Sequence, residues 1–239
     1  MLIELYSLIY LILTPFVLIK GLLRNEGIKV FERFGIYKRV VARGSDCIWL
    51  HAVSVGEIIA VAPLVDELRL RGENVVITTG TISGYETCKR IFDNSVTHAF
   101  FPVDLNFVIK KFFSHFKPKE VIVAESELWP NLLLFCRSNK VTISLINGRL
   151  SARTFTIYSK LVKVLGPIFM SFDRIICQNQ LYARRFKELG FKESAINISG
   201  NLKLDVEPSY DIEAHLEEKL DKKIEKALEN PLAGMATTK

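Results

Sequence analysis

The segment Glu125-Ser126-Glu127-Leu128-Trp129-Pro130-Asn131 sets two carboxylates two residues apart, beside a tryptophan. In extended backbone that spacing puts both side chains on one face, so the pair can point into one cleft, where mutual repulsion raises the pKa of one of them. A solvated strand end is the alternative. A third carboxylate, Glu57, closes the turn His51-Ala52-Val53-Ser54-Val55-Gly56-Glu57 at the opening of a predicted helix. There it can serve as a general base that takes a proton from an attacking hydroxyl. It can equally offset the helix dipole, and the dipole opposes the base role unless burial or a neighbouring carboxylate compensates. Gly56 permits close backbone approach, and free amides in this turn can cradle an anionic group.

Two further turns carry polar chemistry. In Asn147-Gly148-Arg149-Leu150-Ser151, Ser151 is placed to cap a helix, and Arg149 can meet a phosphate or carboxylate or form a structural ion pair. Thr78-Thr79-Gly80-Thr81-Ile82-Ser83-Gly84 offers hydroxyls and amides to an anion, or ordinary turn chemistry. His51 reads as an orienting or packing group. No Walker lysine loop, GxGxxG after the first strand, GxSxG elbow or HExxH is present, which removes kinase, dinucleotide oxidoreductase and serine hydrolase readings.

These turns need a scaffold that presents them together. Short apolar runs alternate with amphipathic stretches, the pattern of a parallel sheet with crossover helices. Strands are predicted at 47–53, 74–79, 97–101, 120–124, 141–146, 174–177 and 195–199. Helices are predicted at 57–71, after Thr81 through a stretch that includes Tyr85 to Phe92 with Ser83 as cap, and at 106–116, 131–138, 152–170 and 182–189. The expected fold is a Rossmann-like α/β domain over residues 46–206, with ligands at the carboxyl ends of the strands. A basic connector, 25–45, precedes it, and a charged, helix-prone tail, 207–239, follows.

The 239 residues suffice for one substantial core with appendages. A net charge of +6 favours an anionic partner, but the basic residues are dispersed, without the arginine and aromatic interleaving of a nucleic-acid surface. The four cysteines have no ligand spacing and read as reduced, buried thiols. Residues 1–24 read as a membrane anchor. Only fifteen residues separate Glu4 from Lys20, so a tilted span and a helix lying in one leaflet are both open, with a buried core helix as the alternative. The segment lacks the features of a cleaved signal, and the cations that follow it place the domain on the cytoplasmic side of the membrane.

In order along the chain stand RFG (Arg33 to Gly35), HAVSVGE (His51 to Glu57), TTGTISG (Thr78 to Gly84), FPVD (Phe101 to Asp104), ESELWPN (Glu125 to Asn131), INGRLS (Ile146 to Ser151) and GNLKLD (Gly200 to Asp205). Together they resemble the 3-deoxy-D-manno-octulosonic acid (Kdo) transferases, which add Kdo to lipid A precursors in lipopolysaccharide synthesis.

The resemblance implies the acceptor-side domain of a GT-B glycosyltransferase, with CMP-Kdo as donor substrate, an anionic lipid A precursor as acceptor, and no metal or other cofactor. By motif position Glu57 is the expected base, with Glu125 and Glu127 supporting acceptor binding or its charge state. Ser54, Gly56, Thr79, Thr81, Asn147, Arg149 and Lys203 are the expected substrate-binding residues. Family members continue into a donor-side domain where this sequence stops, so transfer is expected to need a second-domain polypeptide. The competing readings are a non-catalytic, acceptor-binding remnant and a GT-B transferase using another nucleotide sugar.

Overall fold

The computed structural model describes residues 2–23, 28–37, 46–93, 95–169 and 171–202. These fall within one compact unit, Met1–Asp205. Lys203, the tail 207–239 and parts of the connector lie outside the described residues.

Seven parallel strands form one sheet: β1 (Cys47–His51), β2 (Asn74–Thr79), β3 (Thr97–Phe100), β4 (Pro118–Ala124), β5 (Thr142–Gly148), β6 (Arg174–Cys177) and β7 (Ile196–Ile198). Their order is β3-β2-β1-β4-β5-β6-β7. The central strands are apolar on both faces, as a sheet covered by helices on each side requires. In β1 all five residues are buried. Trp49 stacks on Phe112 with ring centroids 3.9 Å apart and donates from Nε1 to Thr78 Oγ1 at 2.8 Å. Its one polar atom is thereby satisfied inside the core.

The crossovers are α3 (Val55–Leu70), α4 (Ile82–Phe92), α5 (Asn106–Phe116), α6 (Pro130–Asn139), α7 (Ala152–Phe169) and α8 (Gln180–Glu188); α1 (Leu2–Leu23) and α2 (Ile28–Glu32) precede the sheet. The strand order reverses between β1 and β4, which opens a crevice at their carboxyl ends. The turns leaving these two strands carry Glu57 on one side and Glu125 and Glu127 on the other.

Helix starts differ from expectation at α3, α6 and α8, which begin one or two residues early, and the cap differs at α4. Helix α3 begins at Val55 rather than at Glu57, because Ser54, extended at ψ 167°, takes the N-cap position that serine favours. Thr81, not Ser83, caps α4: its Oγ1 accepts the Gly84 N–H at 3.1 Å. Ser83 already lies in the first helical turn. Ser151 caps α7 as expected, accepting the Thr154 N–H at 3.1 Å.

The amino-terminal run forms a helix, α1, with Pro15 inside it. Among the described residues no helix is long and apolar enough to cross a membrane. Nor is α1 a buried core helix. One side is hydrogen-bonded to the domain through Tyr6 and Ser7, while Leu5, Leu8, Ile9, Ile12 and Phe16 stand exposed, Ile12 at 68% and Phe16 at 65%.

Candidate active site

Glu57 is buried at the start of α3, and the turn holds both its oxygens: Oε2 accepts the Val53 N–H at 2.8 Å and Oε1 accepts the Ser54 hydroxyl at 2.9 Å. This is a variant of the capping box, in which the third helical residue reaches back to the entry turn. The two bonds orient the carboxylate at the helix start.

Across the crevice, the β4–α6 turn begins with Glu125 in the left-handed region at φ 61°, its N–H donating to Ile146 O at 2.9 Å. A non-glycine residue there costs on the order of 1–3 kcal/mol, so the surroundings impose the conformation. One residue on, Ser126 O accepts the Tyr158 hydroxyl of α7 at 2.8 Å. Glu127 follows, with its pKa pushed up to about 7, first by burial and then by the charges of Glu57 and Glu125. The crevice thus gathers three carboxylates, one of which changes protonation near neutral pH. Such a group can both accept and donate a proton in hydroxyl chemistry.

The flanking turns buttress this centre. Thr79 is buried, its Oγ1 paired with His98 Nε2 at 3.1 Å. Thr81 donates to Val53 O at 3.1 Å while capping α4, which ties the 78–84 loop to the turn that carries Glu57. Gly80 allows the approach: a Cβ there would lie 2.8 Å from Val53 Cγ1. Ser54 is spoken for by Glu57, and Gly56 lies beside it in the first turn of α3. Asn147, buried and at φ 52°, accepts the Leu202 N–H on Oδ1 at 3.2 Å and so anchors the segment after β7. Arg149 is exposed at the end of β5. Among the described residues no group of three His, Cys, Asp or Glu could hold a metal ion.

His51 packs. Burial pushes its pKa down to about 3, so the ring is neutral; it stacks on Phe101 at 3.9 Å, with Nδ1 3.0 Å from Thr78 Oγ1. All four cysteines are free and buried.

Four contributors were not singled out as site residues from the sequence. Arg33 donates to Gly80 O at 2.9 Å and lies over the Phe100 ring at 4.5 Å, fixing the 78–84 loop. Asp104, fully buried, accepts the Asn131 and Leu132 N–H groups at 3.0 and 2.9 Å. Tyr158 holds Ser126, and Tyr10 of α1 feels the charge of Glu127. Arg33 and Asp104 lie within quoted motifs, which is a usable signal; the two tyrosines lie on helices, where nothing local marks them.

Residues 29–206 match the family model described as 3-deoxy-D-manno-octulosonic-acid transferase (kdotransferase). Among curated proteins, the 3-deoxy-D-manno-octulosonic acid transferase of Haemophilus influenzae is 38% identical over 182 residues, covering 74% of this chain and 42% of the relative. The probable mitochondrial enzyme of that name from Arabidopsis thaliana is 34% identical over 176 residues, 72% of this chain and 39% of its own. The Chlamydia trachomatis serovar D transferase is 31% identical over 180 residues, with 74% and 42% covered. The chain therefore spans about two-fifths of the length of these relatives. Among solved structures, UDP-GlcNAc 2-epimerase from Neisseria meningitidis bound to UDP-GlcNAc superposes with a TM-score of 0.50 at 15% identity, covering 81% of this chain and 55% of that one. The S. aureus MnaA-UDP co-structure gives 0.52 at 14%, covering 71% and 48%. At such identities the likeness speaks for the fold.

Proposed function

This chain belongs to the 3-deoxy-D-manno-octulosonic-acid (Kdo) transferase family, and from that premise we propose that it is the acceptor-side part of a GT-B glycosyltransferase that moves Kdo from CMP-Kdo to a lipid A precursor. The observation that carries the reading is the meeting of Glu57, Glu125 and Glu127 at the switch point, with Glu127 held near 7. Glu57, oriented by Val53 and Ser54, takes the proton from the acceptor hydroxyl as that oxygen attacks the anomeric carbon and CMP leaves. Glu127, half protonated near neutral pH, donates a hydrogen bond to the acceptor or shares its proton.

The anionic acceptor suits a chain of net charge +6, and Arg149, exposed at the rim, is the candidate for its phosphate or the donor carboxylate. Lys203 has the same proposed role by motif position. The exposed apolar side of α1 lies in the cytoplasmic leaflet of the inner membrane, as an interfacial anchor that sets the crevice beside its lipid substrate. Donor binding falls to a second domain, in the same protein or supplied separately.

The reading is tested by assaying Kdo transfer from CMP-Kdo to a lipid A precursor in membranes holding this chain together with a donor-side domain, with and without Glu57→Ala. Transfer that requires both parts and disappears in the variant supports it. A transfer rate untouched by omitting this chain overturns it.

A further inference from the structure

Helix α1 is fastened to the domain by polar bonds that end on the site. Tyr6 donates its hydroxyl to Asp104 Oδ2 at 2.9 Å, and the Asn131 side-chain amide donates to Ser7 Oγ at 3.1 Å. Asp104 accepts the backbone N–H of Asn131 on Oδ2 and that of Leu132 on Oδ1, and its carbonyl accepts the Asn131 side chain. These are the first backbone donors of α6, because Pro130 has none. The residue in the cap position, Trp129, makes no side-chain cap bond, so Asp104 supplies the cap from a different loop.

Asp104 is therefore an α6 cap and the acceptor of an α1 hydroxyl at once, at zero exposure. The turn between β4 and α6 contains Glu125 and Glu127 and is fixed at three places: Glu125 N on Ile146 O, Ser126 O under Tyr158, and the α6 start on Asp104. The third reaches α1. We infer that Tyr6 and Asp104 are positioning residues, which transmit the seating of α1 to the Glu125–Trp129 turn and so set where the Glu127 carboxyl stands in the crevice. The Asp104 carboxyl is pushed up to about 6 by burial, against the pull of Asn131, Tyr6 and Leu132. The consequence for transfer rests on the function proposed above; the positioning itself does not.

Two tryptophans make this measurable. In the 239-residue chain labelled with 5-fluorotryptophan, Trp49 reports the core and Trp129 reports the turn, the two 19F resonances being assigned with Trp129→Phe. Tyr6→Phe removes one hydroxyl and keeps the ring. It should shift or broaden the Trp129 resonance and leave that of Trp49 in place, with Asp104→Asn acting further in the same direction. Ile12→Ala, on the exposed side of α1, should move neither. In the transfer assay Tyr6→Phe should lower kcat by about tenfold with little change in KM for the acceptor, as a displaced catalytic group does. An unmoved Trp129 resonance in folded Tyr6→Phe overturns the inference. Should Asp104→Asn unfold, Tyr6→Phe still decides. A moved Trp129 resonance with no transfer by the wild type in the presence of a donor-side domain upholds the positioning and overturns the transferase reading instead.

Discussion

Glu57 and Glu127 face one crevice from the turns that follow the adjacent strands β1 and β4, and the charge on Glu57 helps hold the Glu127 carboxyl near 7, well above its ordinary 4.5. The folded chain thus keeps the Glu127 proton after an unfolded chain would have released it. Its contribution to stability is fully present below the unfolded value and is lost as pH rises through the folded one. Between about pH 5 and pH 8 the melting temperature of the wild type should fall relative to that of Glu127→Gln. Asp104, raised to about 6, acts in the same direction but is common to both proteins. A melting-temperature difference that stays flat over this range would contradict the placement of Glu127.

The close approach of the 78–84 loop to the Glu57 turn predicts a cost for any side chain at Gly80. Gly80→Ala drives a methyl to 2.8 Å from Val53 Cγ1 and should destabilise the chain by about 1–3 kcal/mol in urea unfolding. Unchanged stability in this variant would refute the packing described.

Membrane attachment is proposed for the outer side of α1. Replacing Ile12 and Phe16 by serine removes two of its most exposed apolar side chains. Each contributes about 1.5–3 kcal/mol when fully buried, so the pair should weaken binding to anionic lipid vesicles by more than about tenfold. Vesicle co-sedimentation measures this. Undiminished binding would move the attachment elsewhere.

The sheet was legible in the sequence because its buried strands are uninterrupted apolar runs, and β2, β6 and α5 carry the expected bounds. The two carboxylate turns were legible for a related reason: both follow such runs, and strand order makes them neighbours. The Thr81 cap was missed because threonine and serine two residues apart offer the same chemistry, and only backbone geometry chooses between them. Asp104 as the cap of α6 could not be read locally, since it lies 27 residues from the N–H of Asn131 that it accepts. The side of α1 that meets the domain was hidden for the opposite reason: its apolar residues dominate the pattern, whereas Tyr6 and Ser7 make the attachment.

Glu57 is proposed as the base, its bonds to the entry turn serving to orient it. The direct measurement is the rate constant for Kdo transfer at saturating acceptor, compared between Glu57→Gln and Ser54→Ala, with the donor-side domain present. Ser54→Ala removes one orienting bond and should cost no more than about tenfold, while Glu57→Gln should lower the rate by about 10²–10⁴. A Glu57→Gln protein that transfers Kdo at the wild-type rate would contradict the account and leave Glu127 as the candidate base.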